Sequence, residues 1–133
     1  MPDTNEIDDF LPLTPAAFHI LLVLADGAAH GYAIMQEVER LTNGRVHLGP
    51  GTLYRSIQRL LDDGLTEGVP PAGSASDDER RNTYRLTALG ERVARGEAAR
   101  LAALVRVARQ RGLLDPPAAA PRHAARARRG APS

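Results

Sequence analysis

Residues 48–65 read LGPGTLYRSIQRLLDDGL, and their pattern decides the fold. Pro50 presets the backbone of a first helical turn, and Gly64 supplies a helix stop. Between them Leu53, Ile57, Leu60 and Leu61 recur at helical spacing, which predicts an amphipathic helix opening at Gly49-Pro50-Gly51-Thr52 and running to Asp63. The opposite face carries Gly51, Arg55, Gln58, Arg59 and Asp62, with Thr52 and Tyr54 on its flanks. Arg pairs bidentately with guanine O6/N7, and Gln does the same with adenine N6/N7. A helix start also exposes free backbone N–H groups that favour a phosphate, and Thr52 and Tyr54 add hydroxyls beside them. This face has the chemistry to read a DNA major groove.

The flanking sequence supplies the rest of a scaffold. Upstream, Thr14 is a suitable N-cap, Pro15 sits at the first helical position, and Gly27 ends an apolar run. Phe18, Leu21, Leu22 and Ala25 share one face of that helix, while Ile20, Val23 and Leu24 occupy the other. A helix apolar nearly all round must be buried nearly all round, so Ile20, Val23 and Leu24 are expected to face a partner subunit. A second helix is predicted over Gly31–Leu41, with Ile34, Val38 and Leu41 inward and Asn43-Gly44 as its stop. Downstream, Leu65–Val69 and Asn82–Leu86 read as two strands around a polar loop, residues 70–81. A fourth helix is predicted from an N-cap at Thr87 to about Leu113, roughly 40 Å at 1.5 Å per residue. Its stripe of Leu89, Val93, Leu101, Leu104, Val105 and Ala108 is interrupted at Glu97 and needs a second surface. Val93, Leu101, Leu104, Val105 and Ala108 are therefore candidates for a dimer interface.

The expected fold class is mainly α with a small β-hairpin. The order α-α-α-β-β-α is the plan of a winged helix-turn-helix over residues 11–86, followed by a long C-terminal dimerisation helix over 87–113. In that plan the third helix enters the major groove and the hairpin lies along the backbone. Arg80, Arg81 and Tyr84 of the hairpin are then candidates to meet phosphate or a narrow groove. Arg80 and Arg81 also follow Asp77, Asp78 and Glu79, which they can equally neutralise. Tyr54 has a similar alternative in packing against the hairpin. Residues 1–10 are acidic and residues 114–133 are rich in Ala, Pro and Arg, so both ends are expected to be disordered.

Composition narrows the function further. The chain of 133 residues has the length of one domain, and its lack of Cys excludes disulfide, thiol and Cys-based metal chemistry. Two Phe, three Tyr and no Trp argue against a stacking platform for single-stranded nucleic acid. The net charge of +1 conceals an asymmetry: residues 80–113 hold nine Arg against two acids, whereas residues 1–30 hold five acids and no Arg. No apolar run is long enough for a membrane span, and the N-terminus lacks the order of a signal peptide. A cytoplasmic protein without membrane contact is expected. His19, His30, His47 and His123 lack metal-ligand spacing, so neither metal nor cofactor is expected. Ser56 has no base in the pattern, and the GPGT run lacks the features of a phosphate-binding loop. An enzyme is not expected. Phe18, Tyr32 and Met35 are candidates to line a small-molecule effector pocket between subunits, with core packing as the plainer alternative.

Three blocks carry a family resemblance. Residues 48–65, DERRNTYRLTALG at 78–90 and HGYAI at 30–34 resemble, in that order, the recognition helix, wing and second-helix start of the PadR family of bacterial transcriptional regulators. The resemblance covers about Leu11–Gly90. It implies a homodimeric winged-helix regulator of double-stranded DNA, usually a repressor, that pairs through its first and C-terminal helices. It also implies a response to small molecules bound near the dimer interface. With one C-terminal helix, this chain resembles the short type of the family. The competing use of such a fold is a protein–protein interaction module without DNA binding, which the low net charge permits.

Overall fold

The computed structural model describes residues 7–69 and 83–116, which fall into two units divided between Arg100 and Leu101. In the first unit, α1 (Pro15–Leu24) starts where expected: the Thr14 hydroxyl oxygen accepts from the Ala17 amide at 3.1 Å, and Pro15 follows it. A two-residue strand β1 (Ala29–His30) leads into α2 (Gly31–Leu41), and α3 spans Pro50–Asp62. The strands β2 (Thr66–Gly68) and β3 (Thr83–Leu86) follow, and then α4 (Ala88–Gln110) begins. The sheet is antiparallel in the order β1-β3-β2, with Gly68 and Ala29 both opposite Tyr84. The hairpin and three preceding helices confirm the mainly helical winged plan. The strand β1 was not legible in the sequence, because two residues carry no alternation.

Helix α1 is the centre of the unit and packs against α2, α3 and β3. Ile20 and Leu21 are fully buried, and Val23 and Leu24 nearly so. This corrects the expectation that Ile20, Val23 and Leu24 face a partner subunit. A helix this apolar needs cover on most sides, and here the protomer's own α2, α3 and β3 provide it for Ile20, Leu21, Val23 and Leu24. Val93 on α4, also expected at a dimer interface, is likewise fully buried in this core. Leu22 instead stands 43% exposed, and Leu41 at the end of α2 is exposed as well.

Each helix stop in the unit has a local cause. Asn43 and Gly44 take positive φ values after α2, and Thr42 bridges Val38 and Val46 through its hydroxyl. After α3, Gly64 has φ +78°, the Leu65 amide bonds the Leu60 carbonyl, and the Gly64 amide bonds that of Leu61. That is the Schellman pattern, and it delivers the chain directly into β2. Thr87 then caps α4: its Oγ1 accepts from the Gly90 amide at 2.9 Å and donates to the Gly64 carbonyl at 2.6 Å. The stop of α3 and the start of α4 are thereby joined through one hydroxyl.

The amino-terminal residues differ from expectation. Residues 7–10, expected to be disordered, begin with a helical turn, and Ile7, Phe10, Leu11 and Leu13 pack against the core. The apolar residues among the acids supply the surface that composition alone had discounted. Leu13 is held from α4 by Glu97, whose Oε2 accepts from the Leu13 amide at 3.2 Å while Arg100 forms a two-pronged pair with the same carboxylate. Glu97 is 2% exposed, so it does not simply break the apolar stripe; it ties the amino-terminal segment to α4.

The Arg100 guanidinium holds the Glu97 carboxyl below its ordinary pKa, against the desolvation that pushes it up. A depressed native pKa adds stability above the carboxyl's unfolded value, and that stability is lost as pH falls through the native one. Glu97→Gln is therefore expected to lower the melting temperature at neutral pH and to flatten its dependence on pH on the acid side. Thermal melts of both proteins between neutral and acid pH check this.

In the second unit, beginning at Leu101, α4 continues to Gln110. Leu101 and Ala108 are half-buried, whereas Leu104, Val105 and Val107 are exposed. The helix ends three residues before the expected Leu113, because Gly112 takes φ +77° and the Leu113 amide turns back to the Ala108 carbonyl at 2.9 Å. Residues 1–6, 70–82 and 117–133 lie outside the described residues, so the expectations placed there, including Arg80 and Arg81, are outside them too.

Candidate nucleic-acid interface

The candidate surface is built on α3. Leu53, Ile57 and Leu60 are buried, which fixes the rotation of the helix and turns Thr52, Arg55, Gln58, Arg59 and Asp62 outward. The helix start is open. Gly49 provides no side-chain cap, Pro50 has no N–H, and the first turn contains no acid. The Gly51 and Thr52 amides thus lie at the positive end of the helix dipole without an intrahelical acceptor, beside the exposed Thr52 hydroxyl.

The cations on this face are not equivalent. Arg55 is exposed and forms no ion pair among the described residues. Arg59 is held by Asp63, with Nε donating to Oδ2 at 3.3 Å. Gln58 donates from Nε2 to Oδ1 of Asp62 at 2.9 Å. Neither contact follows from the outward face alone, but both were signalled in the sequence as i, i+4 spacings.

Tyr54 of α3 and Tyr84 of β3 lie near one another. Tyr54 is 41% exposed, and its hydroxyl lies over Gly31, where an added Cβ would overlap it. Tyr54 therefore packs on the first residue of α2, a contact distinct from the hairpin packing weighed for it. Tyr84, expected on the DNA backbone, is only 6% exposed and belongs to the core. Its place in the central strand turns the side chain inward, and burial followed by the nearby Tyr54 pushes its pKa up. The outward residue of β3 is its neighbour Arg85, which pairs with Glu67 of β2 at 2.8 Å. Strict alternation along Thr83–Leu86 was the signal that sequence reasoning passed over. His30 Nδ1 and Thr83 Oγ1 are 3.0 Å apart and link the start of α2 to the wing.

The three effector candidates are dispersed in exposure. Tyr32 is 63% exposed, Phe18 is half-buried, and Met35 packs against the core. Two open grooves among the described residues of the first unit are lined by other residues, one of them running between residues 9–14 and the Arg55, Arg59 and Asp62 side of α3. Among the described residues no helix is long and apolar enough to cross a membrane.

Comparison with known proteins agrees with this architecture. A Lysinibacillus sphaericus protein described as uncharacterized protein X is 35% identical over 72 residues, which is 54% of this chain and 64% of that one. The chain spans less than two thirds of the length of the curated relatives it matches. The structure of a transcriptional regulator from Clostridium thermocellum shares the fold with a TM-score of 0.61 at 22% identity, covering 71% of this chain and 87% of that one. RosR of H. salinarum is 26% identical, with a TM-score of 0.54, covering 79% of this chain and 99% of that one. Residues 20–96, from the centre of α1 to the residue before Glu97, match the family described as transcriptional regulator PadR-like. With the match extending over more than half its length, the chain belongs to the PadR-like family of transcriptional regulators.

Proposed function

We propose that this regulator binds double-stranded DNA sequence-specifically as a homodimer, each protomer laying α3 in a major groove. The observation that carries the reading is Arg55: an exposed guanidinium, unpaired among the described residues, on the outer face of a helix whose opposite face is locked in the core. Arg55 and Gln58 read base edges, while Thr52 and the open helix start hold phosphate. Arg59 adds charge only as far as Asp63 releases it. Arg80 and Arg81 of the wing complete the phosphate contacts and make affinity fall with salt.

The exposed Leu104 and Val105, with half-buried Leu101 and Ala108, support pairing through the second half of α4. Two copies would then meet half-sites about 34 Å apart on a near-palindromic operator. Repression, relieved by a small molecule bound near the dimer interface, completes the reading on the strength of the family resemblance, with a cytoplasmic location following from composition and Phe18, Tyr32 and Met35 as contacts chosen by residue type. A ligand of that kind acts only by differential affinity for the DNA-competent and incompetent spacings.

Selection from a randomised duplex pool at about 150 mM salt tests the DNA reading. Enrichment of a near-palindromic motif is expected, and a pool that stays random contradicts it. For the dimer, Leu101→Glu with Leu104→Glu is expected to give a folded monomer by light scattering. An intact dimer would refute pairing through this stripe.

A further inference from the structure

With α3 as the DNA-reading helix, the function on which this inference rests, the contact between Gln58 and Asp62 bears on which base is read. A free glutamine amide can turn over. In one orientation it offers DNA a carbonyl and an N–H; in another it offers both N–H groups. The carboxylate of Asp62 only accepts, and it takes one Nε2–H of Gln58 at 2.9 Å from one turn further along the helix. The NH2 end is thereby held on the Asp62 side, and one of its two donors is used. What remains is one N–H and the carbonyl Oε1.

That remainder matches adenine, which presents the N7 acceptor and the N6 donor in the major groove. It mismatches guanine, whose N7 and O6 are both acceptors and would leave Oε1 facing a lone pair. Asp62 has no competing cation among the described residues, since Arg59 is turned to Asp63. Both Gln58 and Asp62 are exposed on the outer face, so the oriented amide is available to a groove. The Asp62 carboxylate also repels phosphate, which weakens binding to every duplex alike. We propose that Asp62 is a positioning residue for base recognition: it fixes the Gln58 amide in the orientation that accepts adenine and rejects guanine, at the expense of general DNA affinity.

Binding of the full chain to the selected duplex and to its single-base variants tests this. The base under Gln58 is identified as the one whose preference disappears in Gln58→Ala. In Asp62→Ala, the adenine-over-guanine preference at that position is expected to fall about fivefold or more, part of what one bidentate pair supplies. Preferences elsewhere should stay as in the wild type, and affinity for random duplex should rise. In the Gln58→Ala background, Asp62→Ala should change no preference. An unchanged adenine preference in Asp62→Ala overturns the proposal, and so does loss of preference at every position, which marks a role in folding. A wild-type protein with no base preference anywhere refutes the DNA reading itself, and this inference with it.

Discussion

Gly90→Ala is expected to lower the stability of the first unit by about 2–3 kcal/mol, the scale of overpacking against a surface that cannot yield. Gly90 lies in the first turn of α4, where a Cβ would overlap the carbonyl oxygen of Leu65 and crowd its carbon at 2.9 Å. The obstacle is backbone, and it is pinned: the Thr87 amide donates to that same Leu65 carbonyl at 3.1 Å. Side-chain repacking therefore offers no relief. Helix propensity alone gives the opposite sign, since Ala in a helix interior is favoured over Gly by about 0.5–1 kcal/mol. The sign of the change thus separates close packing from propensity. Urea denaturation should show a lower midpoint with an unchanged slope, and thermal melting a drop of roughly 10–20 °C. Equal or greater stability would mean that α4 does not press on the end of α3 as described.

Arg55→Ala carries the second large effect, a loss of about 1–3 kcal/mol on the operator with preference relaxed at one base position. Arg55 is exposed and supports no packing, so stability should change little. Arg59 provides the contrast within the same helix. Its guanidinium is already engaged by Asp63, so Arg59→Ala removes a paired charge and should cost less on the operator. Competition binding to operator and to random duplex separates the two variants. If Arg55→Ala leaves operator affinity unchanged at equal stability, base reading does not lie on this face.

The sequence carried the fold further than it carried the site. Caps and stops were legible because they are local: Thr14, Pro15, Asn43-Gly44, Gly64 and Thr87 all act where their residue types require. The apolar spacing in α3 gave the rotation of that helix and hence its outward face. What sequence could not supply was the partner of each buried surface. Ile20, Val23 and Leu24 looked too apolar for one small unit until α2, α3 and β3 were seen around them. Ile7 and Phe10 were discounted among acids, yet both pack on the core. Glu97 looked like an interruption because its partners, the Leu13 amide and Arg100, come from a distant segment and the next turn. Tyr84 was assigned to DNA by residue type, and the pleat turned it inward.

Among the site residues, Thr52, Arg55, Gln58 and Arg59 all lie on the outer side of α3, as the helical period requires. Their unequal engagement was the part not read from the sequence. Whether an exposed cation is free or paired depends on side-chain contacts one turn away. Among the described residues those contacts leave Arg55 free while Gln58 and Arg59 are held.

The central claim is that the outer face of α3 reads DNA sequence. Fluorescence anisotropy of the full chain on its selected duplex, against a scrambled duplex of equal length at about 150 mM salt, tests it most directly. The account predicts affinity for the selected duplex ~10³-fold or more above the scrambled one. Equal affinity for the two would contradict it.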